Sequence, residues 1–275
     1  MLEPGDTILA LCSKVGGGHH TYGVTDNELV PQNIYSKLYN FEYYGVNSDG
    51  VLDYEGALQK AREVKPKLII AGASSYPRTV YYYKFKTICD EVGAYLMADI
   101  AHGFGLNVAG VANSPFPYAD VVTASTNKSM RGPRAGIIYS KKKYEKQIDN
   151  GVFPGVMGAP QNNLIGSLAT SFKYCKTPQY REYAERSVEN CRALADELQL
   201  LGNKIVTGGT DTNIMMWDVK SHGINDATMM DLGESCNILY NGCRLPDDNR
   251  THPSDQGGVR FGTNIVSARN YQPED

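Results

Sequence analysis

The 275-residue sequence predicts an α/β fold: a mostly parallel sheet flanked by helices, followed by part of a smaller α+β unit. Three observations carry this. Short apolar runs recur at Thr7 to Leu11, Leu68 to Gly72, Tyr95 to Ala98, Val121 to Thr123 and Ala135 to Ser140. They are too short for typical helices and suit buried strands. Between several of them lie segments with helical spacing of apolar residues. Polar, chemically capable residues follow the strands: Asp99 and His102 after one, then Ser125, Thr126, Asn127 and Lys128 after the next. In open α/β sheets, ligands sit just beyond the carboxyl ends of strands.

Taken in order, Thr7 to Leu11 reads as a strand leading into Val15-Gly16-Gly17-Gly18-His19-His20. Glycines there permit a tight turn and a close approach of backbone to a ligand; an ordinary glycine-rich loop fits the residues as well. Lys37 to Val46 is aromatic-rich and reads as extended. Asp53 to Val64 is a helix with Leu58, Ala61 and Val64 at helical spacing, ended by Lys65-Pro66. Leu68 to Gly72 is a buried strand with Ser74 and Ser75 at its end. A helix over Tyr81 to Glu91 buries Tyr81, Phe85, Ile88, Cys89 and Val92, and Gly93 ends it. After the central strands, Phe153 to Pro160 is a loop and Leu164 to Tyr174 a helix. The long helix Gln179 to Leu201 places Tyr183, Val188, Cys191, Leu194, Leu198 and Leu201 on one face and stops at Gly202. It is expected to cross between a large domain, residues 1–180, and a partial small domain, residues 181–275. In the latter, Ile205-Val206 and Asn213 to Val219 read as strands, Ala227 to Cys236 as an amphipathic helix, and Gly258 to Thr263 as a final glycine-flanked motif around Arg260.

Composition narrows the class. Net charge is −3, and no basic patch or acidic tail points to nucleic acid or a membrane surface. Six scattered cysteines form no CxxC pair, which favours reduced thiols in an intracellular protein and argues against a metal site. No apolar run approaches the length of a membrane span, and no signal or transit peptide is visible.

The acid at one strand end and the lysine at the next are the chemical core of the reading. Pyridoxal phosphate is held as a Schiff base on a lysine, and a carboxylate pairs with its protonated pyridine nitrogen. Asp99 and Lys128 supply those two groups; the lysine must be partly desolvated to be nucleophilic near neutral pH. On spacing alone, a loop acid and a surface lysine describe the pair equally well.

The wording of the chain goes further. ADIAH, SPF, ADVVT, NKSMRGPR and AGIIYS resemble serine hydroxymethyltransferase, a pyridoxal-phosphate enzyme of the aspartate aminotransferase-like fold. Upstream, EPGD, GGHHTYG, KLYNFEYYGV and KPKLIIAGASSYPR continue the resemblance, and downstream FPGVMGAP, KTPQY, GGTDTN and GVRFGTN do so in the family's order. The resemblance implies a fold-type-I large domain in which Lys128 carries pyridoxal phosphate and Asp99 faces its ring nitrogen. It implies that His19 stacks on the ring, that His102 and Ser74 stand near its phenolic oxygen, and that Ser125 and Arg134 assist at the lysine. It also implies that Arg260 grips the amino-acid carboxylate. The reaction would be interconversion of serine and glycine, with tetrahydrofolate as one-carbon acceptor, in a homodimer or tetramer.

Several positions depart from the family pattern. Thr25 to Gln32 departs most. His20 stands for a leucine, Tyr22 for a histidine, Asn127 for the histidine before the lysine, Ala159 for a glycine and Asn264 for a proline. His20, Tyr22, Asn127 and Asn264 motivate an alternative, a folate-independent aldolase or transaldolase acting on threonine-like substrates. The resemblance places LEPGD well inside the large domain, so the sequence reads as lacking an amino-terminal part, either as a fragment or as a trimmed relative. A non-catalytic fragment or partner subunit is the third reading. The expected compartment is the cytoplasm; a mitochondrial address would lie upstream of Met1.

Overall fold

The structure is a computed structural model and describes residues 1–13, 17–19, 22, 33–246, 248 and 256–275. Its first half runs β1 (Thr7–Leu11), α1 (Ile34–Leu38), β2 (Asn40–Tyr44), α2 (Tyr54–Val64), β3 (Leu68–Gly72), α3 (Tyr82–Val92), β4 (Tyr95–Asp99), α4 (Phe104–Val108), β5 (Val121–Ser125) and β6 (Gly136–Ser140). These strands form one sheet in the order β2-β1-β3-β4-β5-β6. All neighbours are parallel except β5 and β6. The α/β architecture is therefore the mostly parallel sheet flanked by helices that the apolar runs imply. All five residues of β3 are buried, which is why its sequence is continuously apolar rather than alternating. The edge strand β6 alternates between exposed and half-buried residues.

The second half runs α5 (Glu145–Val152), α6 (Asn162–Cys175), α7 (Pro178–Leu200), β7 (Lys204–Ile205), β8 (Ile214–Asp218), α8 (Asp226–Ser235), β9 (Asn241–Cys243), β10 (Gly258–Gly262) and α9 (Asn264–Ala268). Its strands make a separate antiparallel sheet in the order β7-β8-β10-β9.

Local chemistry fixes the helix ends. Asp53 caps α2 by accepting from the Gly56 N–H at 2.9 Å, and Lys65 closes it in the left-handed region at φ 45°. Thr177 caps α7, with Pro178 in the first turn where no intrahelical N–H is needed. The apolar stripe of α7 touches both sheets. Tyr180, Tyr183, Ala184 and Val188 join the core under β3, β4 and β5, while Cys191 and Ala195 pack with Ile205 and Met215. Phe85 and Phe104 are fully buried in the first core; each such side chain contributes roughly 1.5–3 kcal/mol. A polar tie joins the halves as well: Arg78, after β3, pairs with Asp211 at 2.9 Å and donates to the Thr207 carbonyl at 2.5 Å. Among the described residues no helix is long and apolar enough to cross a membrane.

The structure corrects four details. Tyr81 is 43% exposed and Tyr82 takes the buried place on α3, at 8%. Three consecutive tyrosines carry no phase information, and the helix begins one residue later than expected. Lys37 and Leu38 lie in the short helix α1, not in an extended segment. Leu201 is 69% exposed because α7 ends before it. The short elements α1, α4, α5, β9 and α9 show no clear periodicity in the sequence and were not expected. Val15, Gly16, His20 and Thr25 to Gln32 lie outside the described residues.

Candidate active site

The chain leaves β1 to form β2 on one side and then crosses back to form β3 on the other. The loops after β1 and β3 thus diverge at the point where an α/β sheet opens a crevice. A cleft of about 200 Å³ lies there, lined by His19, Tyr22, Asp99, His102, Ser125 and Lys128 among others. A larger cavity of about 410 Å³ adjoins it and shares Ala73, Asp99 and His102.

Close backbone approach shapes the rim. The Gly17 carbonyl accepts from the Ser74 N–H at 2.8 Å, and a Cβ on Gly17 would come within 2.9 Å of Ser75. The glycine run therefore lets the loop after β1 pack on the loop after β3. Gly72 is paired with Asp99 across β3 and β4, and a Cβ there would lie 2.8 Å from the Tyr22 hydroxyl.

Asp99 ends β4, so its side chain emerges at the carboxyl edge of the sheet. Its Oδ2 accepts from the Tyr22 hydroxyl at 2.7 Å, and its Oδ1 from the Ala101 N–H at 3.1 Å. Burial, with the Asp99 charge beside it, pushes the Tyr22 phenol well above the usual tyrosine range. Tyr22 is therefore a donor throughout the accessible pH range.

Ser125 ends β5, and the lysine loop that follows is tied down on several sides. The Thr126 hydroxyl accepts from the Ala135 N–H at 3.1 Å and donates to the Pro133 carbonyl at 2.5 Å. The Ser129 hydroxyl donates to the His102 carbonyl at 2.7 Å and accepts from the Gly105 N–H at 3.0 Å. Tyr183 of α7 donates to the Ser129 carbonyl at 3.0 Å. Held this way, Lys128 places its Nζ 2.9 Å from His102 Nε2. Burial, and then the charges of Lys128 and Arg260, pull the His102 pKa down to about 3. The imidazole is neutral near pH 7, and its Nε2 accepts from the lysine. Burial also lowers the Lys128 pKa, helped by Arg260 and opposed by Asp99. A lysine shifted in that direction presents more neutral amine, which is the nucleophilic form.

The other expected residues divide. Arg260, on β10 of the second sheet, reaches across to Ser74, donating through Nη1 to its carbonyl at 2.7 Å and its hydroxyl at 3.1 Å. Burial lowers the guanidinium's pKa. The guanidinium forms no other hydrogen bond among the described residues. His19 lines the cleft with its ring centroid 5.9 Å from that of Tyr22. Arg134 is exposed and lies outside the cleft lining; the fold turns it to the surface on the approach to β6. Sequence reasoning missed three contributors: Tyr22 as the partner of Asp99, Ser129 as the clamp of the lysine loop, and Thr123. The Thr123 hydroxyl is buried in the cleft lining and has no hydrogen-bond partner among the described residues. Only Thr123 had a sequence signal, a hydroxyl residue two positions before the end of a strand.

A carboxylate, a partly desolvated amine and a neutral imidazole thus converge at strand ends, with a half-buried guanidinium from the second sheet reaching the loop after β3. That set can hold an electron-poor ring, bind its carbonyl covalently and grip a carboxylate. Comparison with known proteins points the same way. Residues 1–275 match the family model for serine hydroxymethyltransferase. The serine hydroxymethyltransferase of Desulfotalea psychrophila (strain LSv54 / DSM 12343) is 42% identical over 270 residues, which cover 98% of this chain and 62% of that protein. The chain spans about three fifths of the length of the curated relative it matches.

Proposed function

The chain belongs to the serine hydroxymethyltransferase family, and on that premise we propose that the whole protein interconverts serine and glycine, with pyridoxal 5′-phosphate as cofactor and tetrahydrofolate as one-carbon acceptor. The observation that carries the reading is the meeting of Asp99, His102 and Lys128 in one cleft, with Arg260 tied to Ser74 beside them.

The residues present fit the cofactor. Lys128 offers a partly desolvated amine whose pKa is lowered by burial. Asp99 offers a carboxylate for a protonated ring nitrogen. The unpartnered Thr123 hydroxyl is a buried polar group in the lining that a bound molecule would satisfy. The chemistry supplied by the bound cofactor is an electron sink for the substrate's α-carbon.

The chain's own side chains then take distinct parts. Lys128 would hold the cofactor covalently through Nζ. His102 Nε2 keeps a proton of that amine engaged at 2.9 Å. His19 would cover a ring face, Ser74 and His102 would stand on the side of the ring hydroxyl, and Ser125 would supply a hydroxyl beside the lysine. Arg260, with Nε and Nη2 unspent among the described residues, forks onto the substrate carboxylate.

The proposed division into residues 1–180 and 181–275 falls within α7. A homodimer or tetramer is supported by Phe153, Val156, Met157 and Ile165, between 55% and 81% exposed on and between α5 and α6. The cytoplasm is the compartment this reading implies.

The test is serine-to-glycine conversion with tetrahydrofolate by the chain and by Lys128→Ala. A rate that depends on Lys128 and on tetrahydrofolate supports the proposal. Threonine cleavage that proceeds unchanged without tetrahydrofolate would instead select the aldolase reading.

A further inference from the structure

We propose that Tyr22 is a positioning residue that sets how strongly Asp99 holds the proton on the cofactor's ring nitrogen. The inference rests on the reading of Asp99 given under the proposed function. Its basis is geometric. The Tyr22 hydroxyl meets Asp99 Oδ2 at 2.7 Å, and the Ala101 N–H meets Oδ1 at 3.1 Å. Both oxygens already carry a donor, so a ring N–H reaching Asp99 must share an oxygen with one of them. A carboxylate that serves two donors at one oxygen offers each less negative charge. The shared bond weakens its pull on the ring proton.

The surroundings make the effect strong. Tyr22 is only 3% exposed, so the phenol side of the bond is shielded from water, although Asp99 itself is half-buried at the cleft. Gly72 leaves the space through which the phenol reaches the carboxylate. The other titratable groups that face Asp99 are Tyr82 of α3 and Lys128 and His102 in the cleft, with His19 on its rim. None of them forms a direct hydrogen bond with it. Tyr22 is thus the one side chain among the described residues that bonds Asp99. The identity of the residue matters too. An unperturbed imidazole changes charge between about pH 5 and 8. A phenol does not, so the strength of this donor is constant across that range.

The test follows the Asp99 carboxyl carbon by ¹³C NMR in the full chain without cofactor, assigned through Asp99→Asn. Tyr22→Phe should raise the Asp99 pKa by about one unit, the scale of one lost hydrogen bond to a charged group. A 3-fluorotyrosine placed at position 22 keeps the shape and strengthens the donor, and should lower it. The second readout is the ¹⁵N signal of ring-labelled pyridoxal phosphate bound to the full chain. It should move toward the protonated position in Tyr22→Phe and away from it with 3-fluorotyrosine. An Asp99 pKa that ignores both changes overturns the inference. So does an Asp99 shift with an unmoved ¹⁵N signal, which would leave the bond as packing alone. If no cofactor binds through Lys128, the proposed function fails, and the free-chain titration still decides the Tyr22–Asp99 bond.

Discussion

Asp99 and Asp120 stand at opposite ends of the same strand pair, each near a lysine, and the two pairs are built differently. Asp120 precedes β5 at the amino end. Its Oδ2 accepts from the Leu96 N–H at 3.0 Å and its Oδ1 from Lys141 at 2.9 Å, with the Tyr144 hydroxyl at 3.4 Å. Burial raises its pKa, but the Leu96 N–H and the Lys141 ammonium outweigh that and hold the carboxyl below its ordinary value. Anion and cation neutralise each other there and staple the sheet edge to the segment after β6. At the carboxyl end, Asp99 and Lys128 form no direct ion pair. The acid is occupied by a phenol and an N–H, and the amine by an imidazole. Opposite charges brought into one cleft but kept apart leave both available to a third molecule. The difference separates a structural pair from a chemical one.

The largest expected effect sets Asp99→Asn against Asp120→Asn. At Asp99 the Tyr22 hydroxyl can turn from donor to acceptor and meet the new amide, so the melting temperature should change little. The turnover number should fall roughly 10²–10³-fold, the scale of losing one electrostatic contact to a reacting group. At Asp120 every partner seen is a donor or is held by one, and an amide must face either the Leu96 N–H or Lys141. Denaturant unfolding should show a loss of about 1–3 kcal/mol, with turnover by the folded fraction unchanged. Equal stability losses in both variants would break the comparison.

Next comes the guanidinium. Arg260→Lys removes the planar fork while keeping a charge, and should raise KM for serine about tenfold or more with a smaller change in kcat. An unchanged KM would place the substrate carboxylate elsewhere. The smallest effect is on acid stability. His102 is neutral in the fold, with a pKa of about 3 against an ordinary 6.5. Between those values the unfolded chain binds a proton that the folded chain does not. Stability therefore falls as pH drops through that window and is recovered above it. His102→Gln should flatten that limb in equilibrium unfolding from pH 7 to 3; an identical slope would mean that the imidazole is not held neutral.

Much of this was legible in the sequence because parallel strands announce themselves. β3, β4 and β5 are short, mostly apolar runs, and polar residues at or just after the ends of β4 and β5 make Asp99 and Lys128 readable directly. Capping by Asp53 and Thr177 and the stop at Gly93 are local chemistry, readable within a few residues. What stayed hidden is contact across distance. Tyr22 and Asp99 are 77 positions apart, and Arg260 and Ser74 are 186 apart. Nothing local to Tyr22 marks its phenol as a carboxylate partner, just as nothing local to Arg134 shows that it turns outward. Short elements such as α4 and β9 are set by tertiary packing, so their few residues carry no period of their own.

The most direct measurement is the visible absorption of the purified chain with pyridoxal phosphate, beside Lys128→Ala and Lys141→Ala. The expected result is a protein-bound band that is lost in Lys128→Ala, kept in Lys141→Ala and shifted by glycine. A band that survives in Lys128→Ala, or that vanishes in Lys141→Ala while the protein stays folded, would contradict the assignment of the cleft at the carboxyl ends of β4 and β5.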